Sequence, residues 1–87
     1  MNDTINIYID EYPGDEEWKD FVSVYNVLPA GDASEEIKSI LAKKVRDVEH
    51  WMDLNLGGLG GASANEVLEL GEDGIKALRV AVMRMPA

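Results

Sequence analysis

Apolar residues recur along this chain with different periods, and each period predicts a different element. Thr4 to Asp10 alternates, with Ile5, Ile7 and Ile9 on one face and Asn6 and Tyr8 on the other. That is the period of a short β-strand. Tyr12, Pro13 and Gly14 then read as a turn. From Asp15, the run DEEWKDFVSVYNVL places Trp18, Phe21, Val22 and Tyr25 at i, i+3, i+4 and i+7, a helical stripe. Asp15 is placed to cap that helix, and Glu16 and Glu17 suit the positive end of its dipole. The segment FVSVYNV is also rich in β-formers, so a hairpin with the first strand stands as the alternative.

Pro29 to Asp32 makes a second break. Asp32 with Glu35 forms a capping-box pattern, with Ser34 as the competing cap. The helix that follows is the clearest in the chain. Ile37, Ile40, Leu41, Val45, Val48 and Met52 share one face, while Lys38, Lys43, Asp47 and Glu49 fall outside it. It is expected to run from about Ser34 to Asp53 and to end before the glycines. In LGGLGGASANEVLELG, residues 56–71, Ser63 and Glu66 form a capping box that opens a short helix with Val67, Leu68 and Leu70 as its apolar side. Gly71 is placed to end it. A last helix begins near Glu72 or Asp73 and buries Ile75, Leu78, Val82 and Met85 before Pro86 stops it. The fold class predicted is mainly α: a long central helix, a Gly-rich turn, a short helix and a C-terminal helix, with an N-terminal β-strand or hairpin.

Four glycines within residues 57–61, just ahead of a helix, raise the question of a phosphate-binding loop. Three features answer it. No strand precedes the loop, so the strand–turn–helix setting of a dinucleotide site is missing. No Lys or Arg lies between Asp47 and Glu69, whereas a P-loop carries its lysine beside the last glycine. Glu66 sits in the first helical turn, where it competes with an anion for the same N–H groups. The glycines read instead as a tight structural turn that brings two helices close, with some positions at positive φ.

At 87 residues and 46% hydrophobic, the chain is long enough for one domain and too apolar for disorder. It reads as one unit over 1–87, with an acidic segment at 1–32 and a helical module at 33–87. The net charge of −9 is unevenly placed: residues 1–36 carry ten acidic side chains and only Lys19, and residues 37–87 carry seven acids and seven bases. Scattered bases and an acidic field argue against nucleic-acid binding. No cysteine, no apolar run of membrane-spanning length and no basic leader point to a soluble, cytoplasmic protein.

Candidate chemistry is thin. His50 is the only histidine, with Asp47 and Asp53 three residues to either side, a poor metal signal that an exposed helix face explains better. Ser23, Ser34, Ser39 and Ser63 have only His50 as a base, so a nucleophilic triad is nearly excluded. The expectation is a protein that is not an enzyme and takes no metal or cofactor.

The second half, WMDLNLGGLGGASANEVLELGEDGIKALRVAVMRMP, resembles the toxin-binding domain of Xre/MbcA/ParS-type antitoxins. That family shows a tryptophan–hydrophobic pair, a turn, a Leu-Gly-Gly-x-Ser/Thr-Pro core with a short helix, a Gly-containing break and a terminal amphipathic helix. Trp51 and Met52 match the pair, and Leu59, Gly60, Gly61, Ala62 and Ser63 match the core. Glu66, Val67 and Leu68 belong to the short helix, Gly71 to Gly74 to the break, and Ile75 to Met85 to the last helix. The likeness covers about residues 50–86. Ala64 stands where the family usually has proline, a mild change because proline is favoured but not required there. The helix-turn-helix that members often carry is replaced by the acidic segment, which takes away the support for an operator-binding role.

The resemblance implies a protein-binding domain that neutralises a partner by occlusion, in the family often a RES-type toxin that consumes NAD. On that reading the last helix grips the partner through Arg79, Val80, Met83 and Arg84, which lie off its core stripe. A different reading uses Asp15, Glu16, Glu17 and Asp20 against a basic groove, as a small acidic inhibitor or nucleic-acid mimic such as a phage anti-defence (anti-CRISPR-like) protein. Pairing of the N-terminal strand across a homodimer also stays open.

Overall fold

A computed structural model describes residues 3–25 and 32–85. Helix α1 (Asp3–Asp10) stands where the alternation predicts a strand. The same residues carry a second period: Ile5, Tyr8, Ile9 and Tyr12 lie at i, i+3, i+4 and i+7 and pack on the core, whereas Ile7 is 51% exposed. No strand occurs among the described residues, so an extended segment here would leave its backbone groups without a ladder. A helix satisfies them within itself. The hairpin alternative is corrected in the same way, because the second segment is helix α2 (Asp15–Val24). Gly14, at φ 114°, takes the cap position, and Asp15 is the first helical residue rather than the cap. Trp18 and Val22 are buried, and Phe21 stacks between Trp18 and Tyr25 with ring centroids 5.5 and 5.1 Å apart.

The single helix expected over Ser34–Asp53 is two helices, α3 (Ala33–Leu41) and α4 (Val48–Asp53). Asp47 explains the break. Its carboxylate accepts the His50 backbone N–H at 3.0 Å, a local bond that competes with continuation of the helix. The turn between them is tied down where Lys44 Nζ donates to the Met85 carbonyl at 3.3 Å. At the start of α3 the cap is Asp32, which accepts from the Ser34 N–H at 2.8 Å, so Ser34 itself does not cap. The break at Pro29 and the stop at Pro86 lie outside the described residues.

A 3-10 turn (Gly57–Leu59) leads into α5 (Ala64–Leu68), which opens on the predicted capping box: Ser63 Oγ accepts from Glu66 N, and Glu66 Oε1 accepts from Ser63 N, each at 3.2 Å. Leu56 closes the glycine turn, its N–H donating to the Ala62 carbonyl and its own carbonyl accepting from Gly61. Gly60 and Gly61 lie at φ 67° and 90°, the left-handed region. A Cβ on Gly61 would meet nothing within 4 Å, so the restriction is conformational. Gly61→Val is therefore expected to cost more than about 1 kcal/mol through backbone strain. That corresponds to a fall in Tm of roughly 4–8 °C for a domain of this size. An unchanged Tm would show that the turn accepts an L-residue.

Helix α6 (Glu72–Arg84) closes the fold. α1, α3 and α5 all pack against it, so its buried surface is wider than a single stripe. Gly74, Ala77, Leu78, Val80 and Val82 are buried, while Ile75 and Met85, expected in the core, are only partly covered. Ile5, Trp18, Ile40, Leu41, Met52, Leu59, Val67 and Leu78 bring every described helix and the 3-10 turn into one core within extents of 32 × 28 × 24 Å.

Candidate functional site

The four residues expected to grip a partner divide between the interior and the surface. Val80 is 4% exposed, so a docked protein does not reach it in this structure. Met83 is partly buried against the core and keeps some exposure at the edge. Arg84 is exposed, pairs with Glu11 and lies over the Tyr8 ring, 5.3 Å from its centroid.

Arg79 is occupied within the fold. Its guanidinium lies over Trp18 at 5.0 Å and Tyr12 at 5.9 Å. Nη1 donates to Tyr12 Oη at 2.8 Å, and that hydroxyl donates on to Asp15 Oδ1 at 2.7 Å. Nη2 lies 3.9 Å from Glu36 Oε1, which accepts from Trp18 Nε1 at 2.6 Å. One cation thus joins α1's end, α2 and α3 to α6. Cation–π and charge-assisted contacts of this kind gain strength when water is excluded, and the Arg79 side chain is only 16% exposed. Its Nε is buried with no hydrogen-bond partner among the described residues.

This cluster sets a pH dependence. Burial, with the bond to Asp15 added, raises the Tyr12 phenol above its ordinary value against the opposing pull of Arg79. The bond from Tyr12 is the main cause that holds the Asp15 carboxyl below the usual range, with Arg79 adding to it. A lowered carboxyl stabilises the fold above its unfolded pKa, about 4, and loses that contribution as pH falls through the lowered value. A raised phenol stabilises the fold below about pH 10 and loses that contribution as pH rises through the raised value. Asp15→Asn is expected to flatten the acid limb of a Tm–pH curve, and Tyr12→Phe both limbs. Curves that run parallel to the parent's would contradict the coupling.

Of the acidic set, Asp15 is therefore committed internally, while Glu16, Glu17 and Asp20 are exposed on α2. Asp47 and Asp53, the candidate neighbours of His50, have structural tasks: Asp47 caps α4, and Asp53 Oδ1 accepts from Asn65 Nδ2 at 2.6 Å.

Among the described residues, two of the surface hollows bear on the candidate site. One, of about 290 Å³, lies between Asp15, Ala33, Glu72, Ile75, Lys76 and Arg79, with both signs of charge on its walls. The other, of about 320 Å³, runs between α1, the glycine turn and the end of α6, with Tyr8, Trp51, Leu56, Leu59, Ala81, Met85 and the two glycines Gly57 and Gly58 around Arg84. Local sequence pattern points to Trp51, Leu59 and Arg84 separately and gives no sign of Tyr8, Leu56 or Ala81, because only the docking of α1 brings Tyr8 to the motif. Comparison with protein families, with curated proteins and with solved structures finds no match to this chain.

Proposed function

We propose that this chain is a non-catalytic, antitoxin-like protein-binding domain that neutralises a RES-type, NAD-consuming toxin by occlusion. The observation that carries the reading is the ordered run from Trp51–Met52 through Leu59-Gly60-Gly61-Ala62-Ser63 to the last helix. The groove of about 320 Å³ adds support, because it joins Trp51 and Leu59 of that run to Ala81 and Arg84 of α6. An apolar hollow with an arginine at its side has the composition that interface centres favour. Glu16, Glu17 and Asp20 take a supporting part, steering encounter with a basic partner surface rather than holding it.

The test is co-expression with a RES-type toxin, sought first beside the chain's own gene. The chain is expected to restore growth and cellular NAD, and its Met83→Glu variant to restore less. NAD loss that continues with both proteins present in soluble form would overturn the proposal.

A further inference from the structure

We infer that the groove between α1, the glycine turn and the end of α6 receives an acidic–apolar peptide segment of a partner protein, with a bulky apolar side chain in the groove and a neighbouring carboxylate on Arg84. The inference rests on the reading of this chain as a protein-binding domain, though not on the partner being a toxin.

Three observations select that occupant. Apolar walls at Trp51, Leu56, Leu59 and Ala81 suit a hydrophobic side chain, and Arg84 is the only charged residue among the described lining. The groove is open, since Gly57, Gly58 and Arg84 are exposed. Small-molecule sites enclose most of their ligand, so this hollow suits a side chain whose own protein closes the remaining side. Charge complementarity supplies the rest. Arg84 already holds a carboxylate, that of Glu11, and both side chains are solvent-exposed, at 52% and 43%. An exposed pair is held weakly, so an incoming carboxylate can exchange with Glu11.

Gly58 offers a direct control. Its backbone is not in the left-handed region, and a Cβ there would meet only Tyr8 Oη at 3.9 Å. Gly58→Leu therefore adds a side chain at the groove wall without backbone strain.

The probe is the blocked peptide acetyl-Gly-Glu-Leu-Phe-Gly-amide, followed by NMR titration of the intact chain, with the Glu replaced by Lys as comparison. The account predicts shifts at the Trp51 indole and the amides of Gly57, Gly58, Leu59 and Ala81. Arg84→Gln, and the Lys peptide on the parent chain, should each weaken binding by about fivefold or more, as expected for loss of one charge-assisted contact. Glu11→Gln should tighten it, because the competing carboxylate is gone, and Gly58→Leu should abolish the local shifts in a protein whose other resonances are unchanged. Equal binding of the Lys peptide, shifts on another face, no shifts at all, or full binding by folded Gly58→Leu would overturn the inference. The peptide contains no toxin sequence, so failure here leaves the NAD experiment standing, and failure there with groove binding intact removes only the toxin as partner.

Discussion

Gly74→Ala is expected to cost about 3 kcal/mol or more, the upper range for forcing an extra carbon into a packed interior. Gly74 lies in the first turn of α6, where α5 crosses over it. A Cβ there would sit 1.9 Å from the Val67 carbonyl oxygen and 2.9 Å from its carbon. Both are backbone atoms, so no side chain can swing aside, and the two helices must separate. Leu78 and Val67, both fully buried at that junction, would lose contacts as they part. Gly57→Ala is the control, since its Cβ meets nothing within 4 Å and its φ is ordinary. Urea denaturation should show a large drop in midpoint for Gly74→Ala and almost none for Gly57→Ala. Equal midpoints would mean that α5 and α6 are not in this contact.

Trp18→Ala should remove about 3–5 kcal/mol, the range for deleting a buried aromatic side chain. Trp18 is 2% exposed, stacks on Phe21, supports the Arg79 guanidinium and donates to Glu36. A domain of this length has a total stability of roughly 4–13 kcal/mol, so the loss takes a large share of it. Trp18→Phe separates the parts: it keeps an aromatic ring and leaves Glu36 without its N–H donor, a cost nearer 1–2 kcal/mol. If the two variants unfolded at the same urea concentration, the packing account of Trp18 would be wrong.

What the sequence made legible was local. The Ser63–Glu66 box and the stripe of α6 depend on residues three or four apart; the box stands as read, and of the stripe Leu78 and Val82 are buried, Ile75 and Met85 only partly covered, and Gly74, Ala77 and Val80 buried besides. The N-terminal segment is ambiguous in sequence because Ile5, Ile7 and Ile9 satisfy a strand period, while Ile5, Tyr8, Ile9 and Tyr12 satisfy a helical one. Only the presence or absence of a partner strand decides between them. The break before α4 hung on Asp47, whose capping side chain looked like one more solvated charge on a continuous helix. Arg79 illustrates a harder limit. Its partner Tyr12 lies 67 residues away, and nothing in either local pattern couples them. The groove was hidden for the same reason, since Tyr8 reaches the glycine turn only after α1 docks on α6.

These placements change how the proposed partner contact is best probed. Arg79 holds the fold together, so reversing its charge would confound binding with stability, and Met83 and Arg84 are the better choices on α6. The most direct test of the proposed occlusion is NAD consumption by a purified RES-type toxin, titrated with this chain. The account predicts inhibition that is complete near equimolar ratio, a rightward shift of about tenfold or more for Met83→Glu/Arg84→Glu in folded protein, and a smaller, salt-dependent effect on association for Glu16→Gln/Glu17→Gln/Asp20→Asn. Undiminished NAD consumption at an excess of the parent chain, or inhibition lost only in the neutralised α2 variant, would contradict it.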